Sequence, residues 1–306
     1  MSVQAPILVT GAHRTGTTWV GKMLAASPQV VYISEPLNVW HRPGVLQAPV
    51  SKWYTLICEE NEARFLPAYR DLLSFRYGLW REIRSLRSRK DFLRMGRDFS
   101  IFLRGRFLRQ RPLLKDPFAV FSAPWFADRL GCRVIITVRH PAGFASSLKR
   151  LDWSFDFRDM LEQPLLMQRW LDVERAEMEA ARSDDIIGQA ALLWRMVYRV
   201  AARMMKLYPS FIILRHEDLS RDPVSCYRDL YAALGLDFTP TVEKTILNAS
   251  NSDNPTELST GKVHAVKLDS RANLDNWKKR LSSDEILRIR RITGKTVKLF
   301  YSDEEW

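Results

Sequence analysis

The sequence has few of the residues from which metal centres and disulfide frameworks are built. Its 306 residues include only three cysteines and five histidines. Cys58, Cys132 and Cys226 lie far apart, and no histidine accompanies them at the spacing of a zinc site. None of the three has a neighbour that would activate a thiolate. We therefore expect no bound metal, no disulfide and no cysteine nucleophile, which is typical of a reducing compartment.

Long apolar runs are also missing. No stretch approaches the roughly 18 apolar residues that suggest a membrane span. The chain passes almost at once into the strand-like PILVTG, without a basic stretch and an apolar signal segment before it. From this pattern we expect a cytoplasmic protein. The composition, 46% hydrophobic and 27% charged, is that of a globular protein, and without a linker in the sequence we expect one domain over residues 1–306.

The charge is basic and unevenly distributed. The formal net charge is +12, and between Arg76 and Arg111 twelve lysines and arginines oppose three acidic residues, a net charge of +9. Such a field attracts polyanions, including nucleotide cofactors, acidic glycans and anionic membranes. Because no nucleic-acid-binding motif accompanies it, we expect no nucleic-acid partner. Segment 76–111 is predicted to contact substrate or, peripherally, a membrane; a solvated basic helical face is the alternative.

Short apolar segments alternate with helical patterns along the chain. Strands are predicted at 7–10, 30–33, 111–117, 133–141 and 211–219, and helices at 17–26, from about 142, and at 186–208, 222–234 and 282–300. This alternation predicts an α/β fold with a parallel sheet flanked by helices. A helical insertion is predicted from about 50 to 110. Three polar turns follow strands, and in such sheets they converge on one ligand-binding edge.

The first of these turns, GAHRTGTTW, is similar to a phosphate-binding loop with a displaced cation. An ATP-binding P-loop reads G-x-x-x-x-G-K-[ST], with lysine directly after the second glycine. Gly11 and Gly16 keep that spacing, but Thr17 occupies the lysine position and Arg14 lies two residues before Gly16. The helix predicted to begin here presents backbone N–H groups that suit an anion. A simple N-cap is the alternative role for Thr17.

This loop and the later VIITVRHPAGFASSLKR resemble the two cofactor-binding elements of sulfotransferases that use 3′-phosphoadenosine-5′-phosphosulfate (PAPS). The family's loop reads roughly P-K/R-S-G-T-T-W, with its cation placed as Arg14 is. Its second element is an arginine at a strand end and a serine eight residues later, the spacing of Arg139 and Ser147. YISEPLNVW, ILRHEDL and NWKKRL resemble further elements, in family order. The arginine form and the EP…VW segment are most similar to the carbohydrate sulfotransferases.

The resemblance runs from Ala12 to Leu281 and implies a P-loop-like fold, PAPS as donor, PAP as product and no metal. It also implies residue roles. It implies that the 5′-phosphosulfate and adenine are bound by Arg14, Thr15, Gly16, Thr17, Thr18 and Trp19. It implies that the 3′-phosphate is bound by Arg139 and Ser147. Ser146 is the alternative to Ser147, and Arg271 is a loosely matched third ligand. Because sulfuryl transfer builds negative charge on the leaving phosphate, Arg14 is also predicted to be catalytic.

An acceptor hydroxyl needs a general base to take its proton. Glu35 lies close to where the carbohydrate-type enzymes place a catalytic carboxylate, and His41 is the second candidate. Glu35 as a structural carboxylate is the alternative. The predicted function is sulfation of a hydroxyl on a carbohydrate, lipid or small molecule, with glycans and glycolipids among the acceptors. The acceptor is expected to bind on the side of the helical insertion. A P-loop kinase or NTPase and a non-catalytic nucleotide- or polyanion-binding module are the rival functions.

Overall fold

A computed structural model describes residues 4–257 and 266–306. Its centre is a five-stranded sheet in the order β2-β3-β1-β4-β5, with every neighbouring pair parallel. The strands are Ile7–Gly11 (β1), Val30–Ser34 (β2), Arg111–Lys115 (β3), Arg133–Val138 (β4) and Ile212–Arg215 (β5). The predicted α/β class and parallel sheet are confirmed.

Helices link the strands and cover both faces of the sheet. The α-helices are Thr17–Leu24 (α1), Leu66–Leu73 (α2), Leu79–Ser85 (α3), Arg89–Phe107 (α4), Ala123–Leu130 (α5), Pro141–Leu151 (α6), Arg158–Leu161 (α7), Pro164–Leu166 (α8), Arg175–Glu179 (α9), Ile186–Leu207 (α10), His216–Arg221 (α11), Pro223–Leu234 (α12), Pro240–Ser250 (α13), Asn276–Arg280 (α14) and Ser283–Val297 (α15). None of these described helices is both long and apolar enough to cross a membrane.

Alternate residues of each strand enter two separate apolar cores. Ile7 and Val9 of β1 pack with residues of α1, α12 and α13, whereas Leu8 packs with residues of α5, α6 and α10 on the other face. All three side chains are fully buried. Burying an aliphatic side chain of this size stabilises the fold by about 1.5–3 kcal/mol, so the centre of the sheet is a firm base for the loops at its edge.

All five strands end at one edge of the sheet because all run in the same direction. The register pairs Gly11 with Thr137 on one side of the sheet and Ser34 with Lys115 on the other. The three polar turns found in the sequence therefore leave the sheet side by side, and this edge carries the candidate site.

The segment between β2 and β3 differs in part from its prediction. Helices α2, α3 and α4 occupy 66–107, but residues 50–65 form turns and one short 3₁₀ segment. Here the backbone bonds to side chains instead of to itself: Cys58 N donates to Asn61 Oδ1 at 2.9 Å, and Asn61 Nδ2 donates to the Leu56 carbonyl at 2.8 Å. Side chains that satisfy the backbone in this way compete with helix formation.

Candidate active site

Two glycines shape the loop between β1 and α1. Gly11 has φ 142°, and a Cβ there would lie 2.5 Å from the Thr137 carbonyl oxygen of β4. Gly16 has φ 96°, and its Cβ would lie 3.0 Å from Nδ1 of His216. A side chain at either position would be strained by its backbone and crowded by its neighbour. The loop is thereby held close to both β4 and α11.

Thr15 fastens the same loop to the sheet. Its Oγ1 donates to the Ala12 carbonyl at 2.6 Å and lies 2.8 Å from Oγ1 of Thr137. The residue is only 1% exposed, so Thr15 shapes the loop in this structure, and its contact with the cofactor stays a prediction. Next to it, α1 begins at Thr17 with Gly16 as the N-cap, and no side chain caps the helix. Thr17 is thus the first helical residue, and the uncapped N–H groups suit an anion.

A cleft opens in front of this helix start, and we call it the arginine cleft. Seven of the predicted cofactor residues line it: Arg14, Gly16, Thr17, Thr18, Trp19, Arg139 and Ser147. The ring of Trp19 also packs edge-on against His216 and Tyr227, at 5.9 and 5.8 Å between ring centroids. Trp19 therefore both packs against neighbouring rings and lines the cleft.

Four arginines line the arginine cleft, Arg14, Arg139, Arg150 and Arg280, together with one acid, Glu257, which is ion-paired with Arg280 and lies 3.9 Å from Arg150. Arg14 Nε donates to Ser147 Oγ at 3.3 Å, and Arg139 Nη1 donates to the Arg14 carbonyl at 3.4 Å. Burial, followed by repulsion from Arg139 and Arg150, lowers the pKa of Arg14 to about 10. Burial also lowers the pKa of Arg139. Cations crowded in a poorly hydrated cleft are stabilised by an anion, so the cleft suits a phosphate or sulfate.

The turn from β4 into α6 explains the spacing of the second motif. Arg139 follows β4, and its Nε lies over Gly143, where a Cβ would be 3.1 Å away. Ser147 lies on the second turn of α6 and lines the cleft. Ser146 instead accepts a 2.6 Å hydrogen bond from Arg280 Nη1. Of the two rival serines, the structure therefore brings Ser147 to the cleft.

Three of the cleft residues that sequence reasoning did not assign have basic side chains. Arg150 lies one turn after Ser147 on α6, a spacing that predicts the same helix face. Arg280 ends the NWKKR helix, and His216 begins α11. His216 is 8% exposed, burial lowers its pKa well below the ordinary value, and neither ring nitrogen has a hydrogen-bond partner among the described residues. Such buried, unpartnered nitrogens beside a cleft are suited to a polar ligand.

Arg271 is the one predicted cofactor residue with a charged side chain that does not line this cleft among the described residues. Its Nε donates instead to the Arg221 carbonyl at 2.9 Å, and the residue is exposed. The additional guanidinium expected from the C-terminal motif is supplied at the cleft by Arg280. The loose match of the motif explains why spacing alone did not separate the two arginines.

A second cavity of about 600 Å³ lies beside the edge strand β2, and we call it the β2 cavity. Glu35 and His41, the two candidate bases, both line it, opposite Arg94 and Arg97 of α4. Thr18 lines both this cavity and the arginine cleft. The two spaces therefore meet at the start of α1, and the helical insertion supplies one wall.

Glu35 is held tightly at the end of β2. Its backbone N–H donates to the Lys115 carbonyl at 2.7 Å, and its Oε1 is ion-paired with Nζ of Lys115. Asn38 Nδ2 donates to the other carboxylate oxygen at 2.8 Å. The Lys115 side chain is fully buried, whereas that of Glu35 is 18% exposed. Glu35 is thus both a carboxylate facing the β2 cavity and the counter-ion of a buried lysine.

The ring of His41 is held in place by a 3.0 Å contact between its Nδ1 and the carbonyl oxygen of Asn38, three residues earlier. Burial lowers its pKa, so the ring is neutral near pH 7. A neutral imidazole can take a proton, and His41 therefore keeps its place as the second candidate base. The geometry favours neither candidate by position, since both line the same cavity.

A row of aromatic rings runs from the β2 cavity to the loop. Trp40, which lines the cavity and is 80% exposed, packs edge-on against Trp53 at 5.2 Å, and Trp53 lies 4.4 Å from Phe118. Phe118 is followed by His13 at 6.3 Å and His13 by Trp153 at 6.5 Å. The Trp153 ring centroid is 5.8 Å from the guanidinium carbon of the loop arginine. The row is therefore mostly packed interior, and of its rings Trp40 is the one that lines the β2 cavity.

Comparisons with known proteins agree with this arrangement. Residues 6–240 match the sulfotransferase family. Carbohydrate sulfotransferase 5 of Mus musculus is 24% identical over 337 residues, covering 96% of this chain and 79% of its own. Carbohydrate sulfotransferase 1 of Danio rerio is 28% identical over 176 residues, covering 56% and 38%. The solved sulfotransferase domain from the curacin biosynthetic pathway has the same fold, with TM-score 0.50 and 17% identity over 99% of both chains. Since the family match spans most of the sequence, the chain belongs to the sulfotransferase family, as its motifs predicted.

Proposed function

We propose that this sulfotransferase uses PAPS as its donor and sulfates a hydroxyl of a carbohydrate acceptor. The observation that carries the proposal is the meeting of two spaces at Thr18: an arginine cleft suited to anions and a cavity lined by candidate bases. A donor and an acceptor must be brought together for group transfer, and this junction is where they would meet.

The residues of the arginine cleft fit PAPS group by group. Arginine, serine and backbone N–H groups suit its phosphates and sulfate, and an aromatic ring suits its adenine. Nε1 of Trp19 and both ring nitrogens of His216 are buried without a hydrogen-bond partner among the described residues. They add polar groups that a nucleotide can satisfy. When bound, PAPS supplies an activated sulfuryl group on its 5′-phosphate.

Each element of the cleft has a distinct task in this proposal. The start of α1 and Arg14 would hold the 5′ end, because the uncapped N–H groups and the loop cation line the cleft together and suit an anionic group. Arg139 and Ser147 hold the 3′-phosphate from the β4–α6 turn. With its pKa lowered to about 10, Arg14 remains a cation at neutral pH. Its charge stabilises the negative charge that develops on the leaving phosphate.

The β2 cavity holds the acceptor in this proposal. A hydroxyl there lies beside the Glu35 carboxylate, which takes its proton; His41 is the alternative base. Asn38 and Lys115 orient the carboxylate through a hydrogen bond and an ion pair. A base held in one position loses little entropy on reaching the transition state.

Two observations support a sugar as the acceptor. Relatives named as carbohydrate sulfotransferases match the chain. Trp40 also lines the cavity and is 80% exposed, and the C–H face of a sugar ring packs well on such an aromatic surface. A kinase is disfavoured because Thr17 stands where a P-loop needs lysine. A purely binding module gives the two candidate bases of the β2 cavity no chemical role, although Glu35 would still pair with Lys115.

Calorimetry and labelled-sulfate transfer test this proposal together. We expect PAP to bind and ATP with Mg²⁺ to bind far more weakly, and we expect label from PAPS to reach sugars in a mixed acceptor pool. Arg139→Ala should weaken PAP binding about ten- to a hundredfold, as loss of a charged contact predicts. Arg271→Ala, outside the cleft, is the matched control and should change little. Preference for ATP would favour the kinase, and PAP binding without transfer would favour the binding module.

A further inference from the structure

Helix α4 carries an exposed apolar stripe on the most basic segment of the chain. Phe92, Phe99, Leu103 and Phe107 are 60%, 37%, 43% and 77% exposed. Their spacing of seven, four and four residues places them along one side of the helix. Gly96 lies in the gap between the first two, and nothing lies within 4 Å of where its Cβ would be. The stripe is therefore continuous and unobstructed by the described residues.

Most of this stripe lies away from the side by which α4 is held to the protein, although Phe99, its least exposed member, also packs edge-on against Tyr77 at 5.9 Å. The buried residues of the helix are Met95, Phe102 and Gly105, which lie on a different side. Phe102 packs edge-on against Phe75 at 6.1 Å and Tyr77 at 5.3 Å. The helix thus has one apolar side for the core and a second that faces outward. Large apolar patches rimmed by charge on a protein surface mark interaction sites.

Arginine and lysine flank the exposed stripe. Helix α4 carries six basic residues, Arg89, Lys90, Arg94, Arg97, Arg104 and Arg106, against two acids, Asp91 and Asp98. Both acids have local tasks: Asp91 accepts from Ser88 Oγ at 2.8 Å, and Asp98 pairs with Arg42 at 2.9 Å. The net charge of the helix is therefore +4, with Asp91 and Asp98 also paired with Arg94 and Arg97 of the helix itself, at 3.8 and 2.9 Å. The surface that accompanies the stripe attracts anions.

We propose that the outward side of α4 docks on an anionic lipid bilayer. The four apolar side chains of the stripe enter the boundary between headgroups and acyl chains, and the flanking arginines contact lipid phosphates. Interfacial helices combine these two features, apolar side chains on one side and basic ones beside them. The positive charge of α4 favours an anionic bilayer over a second copy of the chain as the partner. A symmetric pair joined through the stripe would bring two helices of the same +4 charge together.

Helix α4 also contributes to the β2 cavity, but through a different side. Arg94 and Arg97, one turn apart, line that cavity. With 3.6 residues per turn, they lie on roughly the opposite side of the helix from Phe92 and Phe99. The docking surface is therefore separate from the cavity lining, and the docking is independent of the proposed function and is tested by binding alone.

Sedimentation of the full chain with lipid vesicles tests the docking. We expect binding to vesicles of phosphatidylcholine mixed with phosphatidylglycerol and roughly tenfold weaker binding to phosphatidylcholine alone, with binding that declines as salt rises. The variant Phe92→Ser/Phe107→Ser should lose most of this binding. Val173→Ser/Leu287→Ser is its matched control, because these residues are 77% and 61% exposed but lie off α4. PAP affinity, measured in parallel, checks that each variant is folded.

A second pair of substitutions separates charge from apolar insertion. Arg89→Glu/Arg104→Glu removes basic residues of α4 that do not line the β2 cavity and should also abolish binding to the anionic vesicles. Equal binding of wild type and both α4 variants would overturn the proposal. So would a stripe variant that changes the oligomeric state in analytical ultracentrifugation while vesicle binding stays intact, since the stripe would then join two copies of the chain.

Discussion

Glu35→Gln is the most informative single change, because Glu35 has two candidate tasks that fail in different ways. As the general base it takes the acceptor's proton, and the amide of glutamine cannot. As the counter-ion of Lys115 it neutralises a fully buried ammonium group, and glutamine leaves that charge unpaired. The single variant therefore loses activity under both explanations. A second substitution at Lys115 separates them.

The stability cost follows from the burial of the pair. Removing one partner of a buried ion pair costs about 3–5 kcal/mol. Glu35 is 18% exposed and glutamine still accepts a hydrogen bond, so we expect the low end, about 3 kcal/mol. For a chain of this size that lowers Tm by roughly 6 °C. Replacing both charges in Glu35→Gln/Lys115→Met removes the unpaired ammonium, so Tm should return close to that of the wild type.

Activity should not follow stability if Glu35 is the base. Loss of a general base lowers the rate about 10²–10⁴-fold, and the double variant should stay that low although its Tm recovers. Thermal unfolding, PAP calorimetry and labelled-sulfate turnover at saturating acceptor measure the three quantities. A double variant with near-normal turnover would refute the reasoning: Glu35 would then be a counter-ion alone, and His41→Ala would be the next variant to test.

Two other substitutions test the rest of the site, and a third tests the buried carboxyl of Asp116, next to Lys115 in the sequence. Arg14→Ala should lower kcat far more than PAP affinity, because its charge acts on the leaving group; equal losses in both would make it an ordinary phosphate ligand. Ser147→Ala should weaken PAP binding with unchanged Tm, and unchanged affinity by calorimetry would remove it from the site. Burial raises the pKa of Asp116 from 3.8 to about 7. The folded state then binds more protons than the unfolded state between these values, so Tm should fall as pH rises through that window. Asp116→Asn should flatten this slope, and an unchanged slope would contradict it.

The sheet and its anion-binding loop could be predicted because local patterns determine them. Apolar runs ending in polar turns predicted β1 and β4, and two glycines at a fixed spacing predicted the loop between β1 and α1. The structure gives the reason for each glycine: Gly11 lies against the Thr137 carbonyl and Gly16 against the ring of His216. These contacts explain a motif that was already visible in the sequence.

Residues that reach the site from distant segments could not be predicted in the same way. Arg280 reaches the cleft from α14, where it contacts Ser146, 134 positions away in the sequence. Arg271 has the same chemistry and lies nearby in the sequence, but its side chain turns to the Arg221 carbonyl. No spacing rule distinguishes the two, because contacts with residues far away in the sequence, Ser146 and Arg221, determine where each side chain lies.

Lys115 shows most clearly what the sequence conceals. The sequence RPLLKDP predicts only that Lys115 lies in a short strand, whereas the parallel register pairs it with Ser34, next to Glu35. α1 then covers it: a Cβ on Gly21 would lie 3.1 Å from the Lys115 Cγ. A buried ammonium group must be paired, and Glu35 is the carboxylate that pairs with it. The strand register therefore ties the candidate base to the stability of the sheet edge, so activity and stability must be measured together at this position.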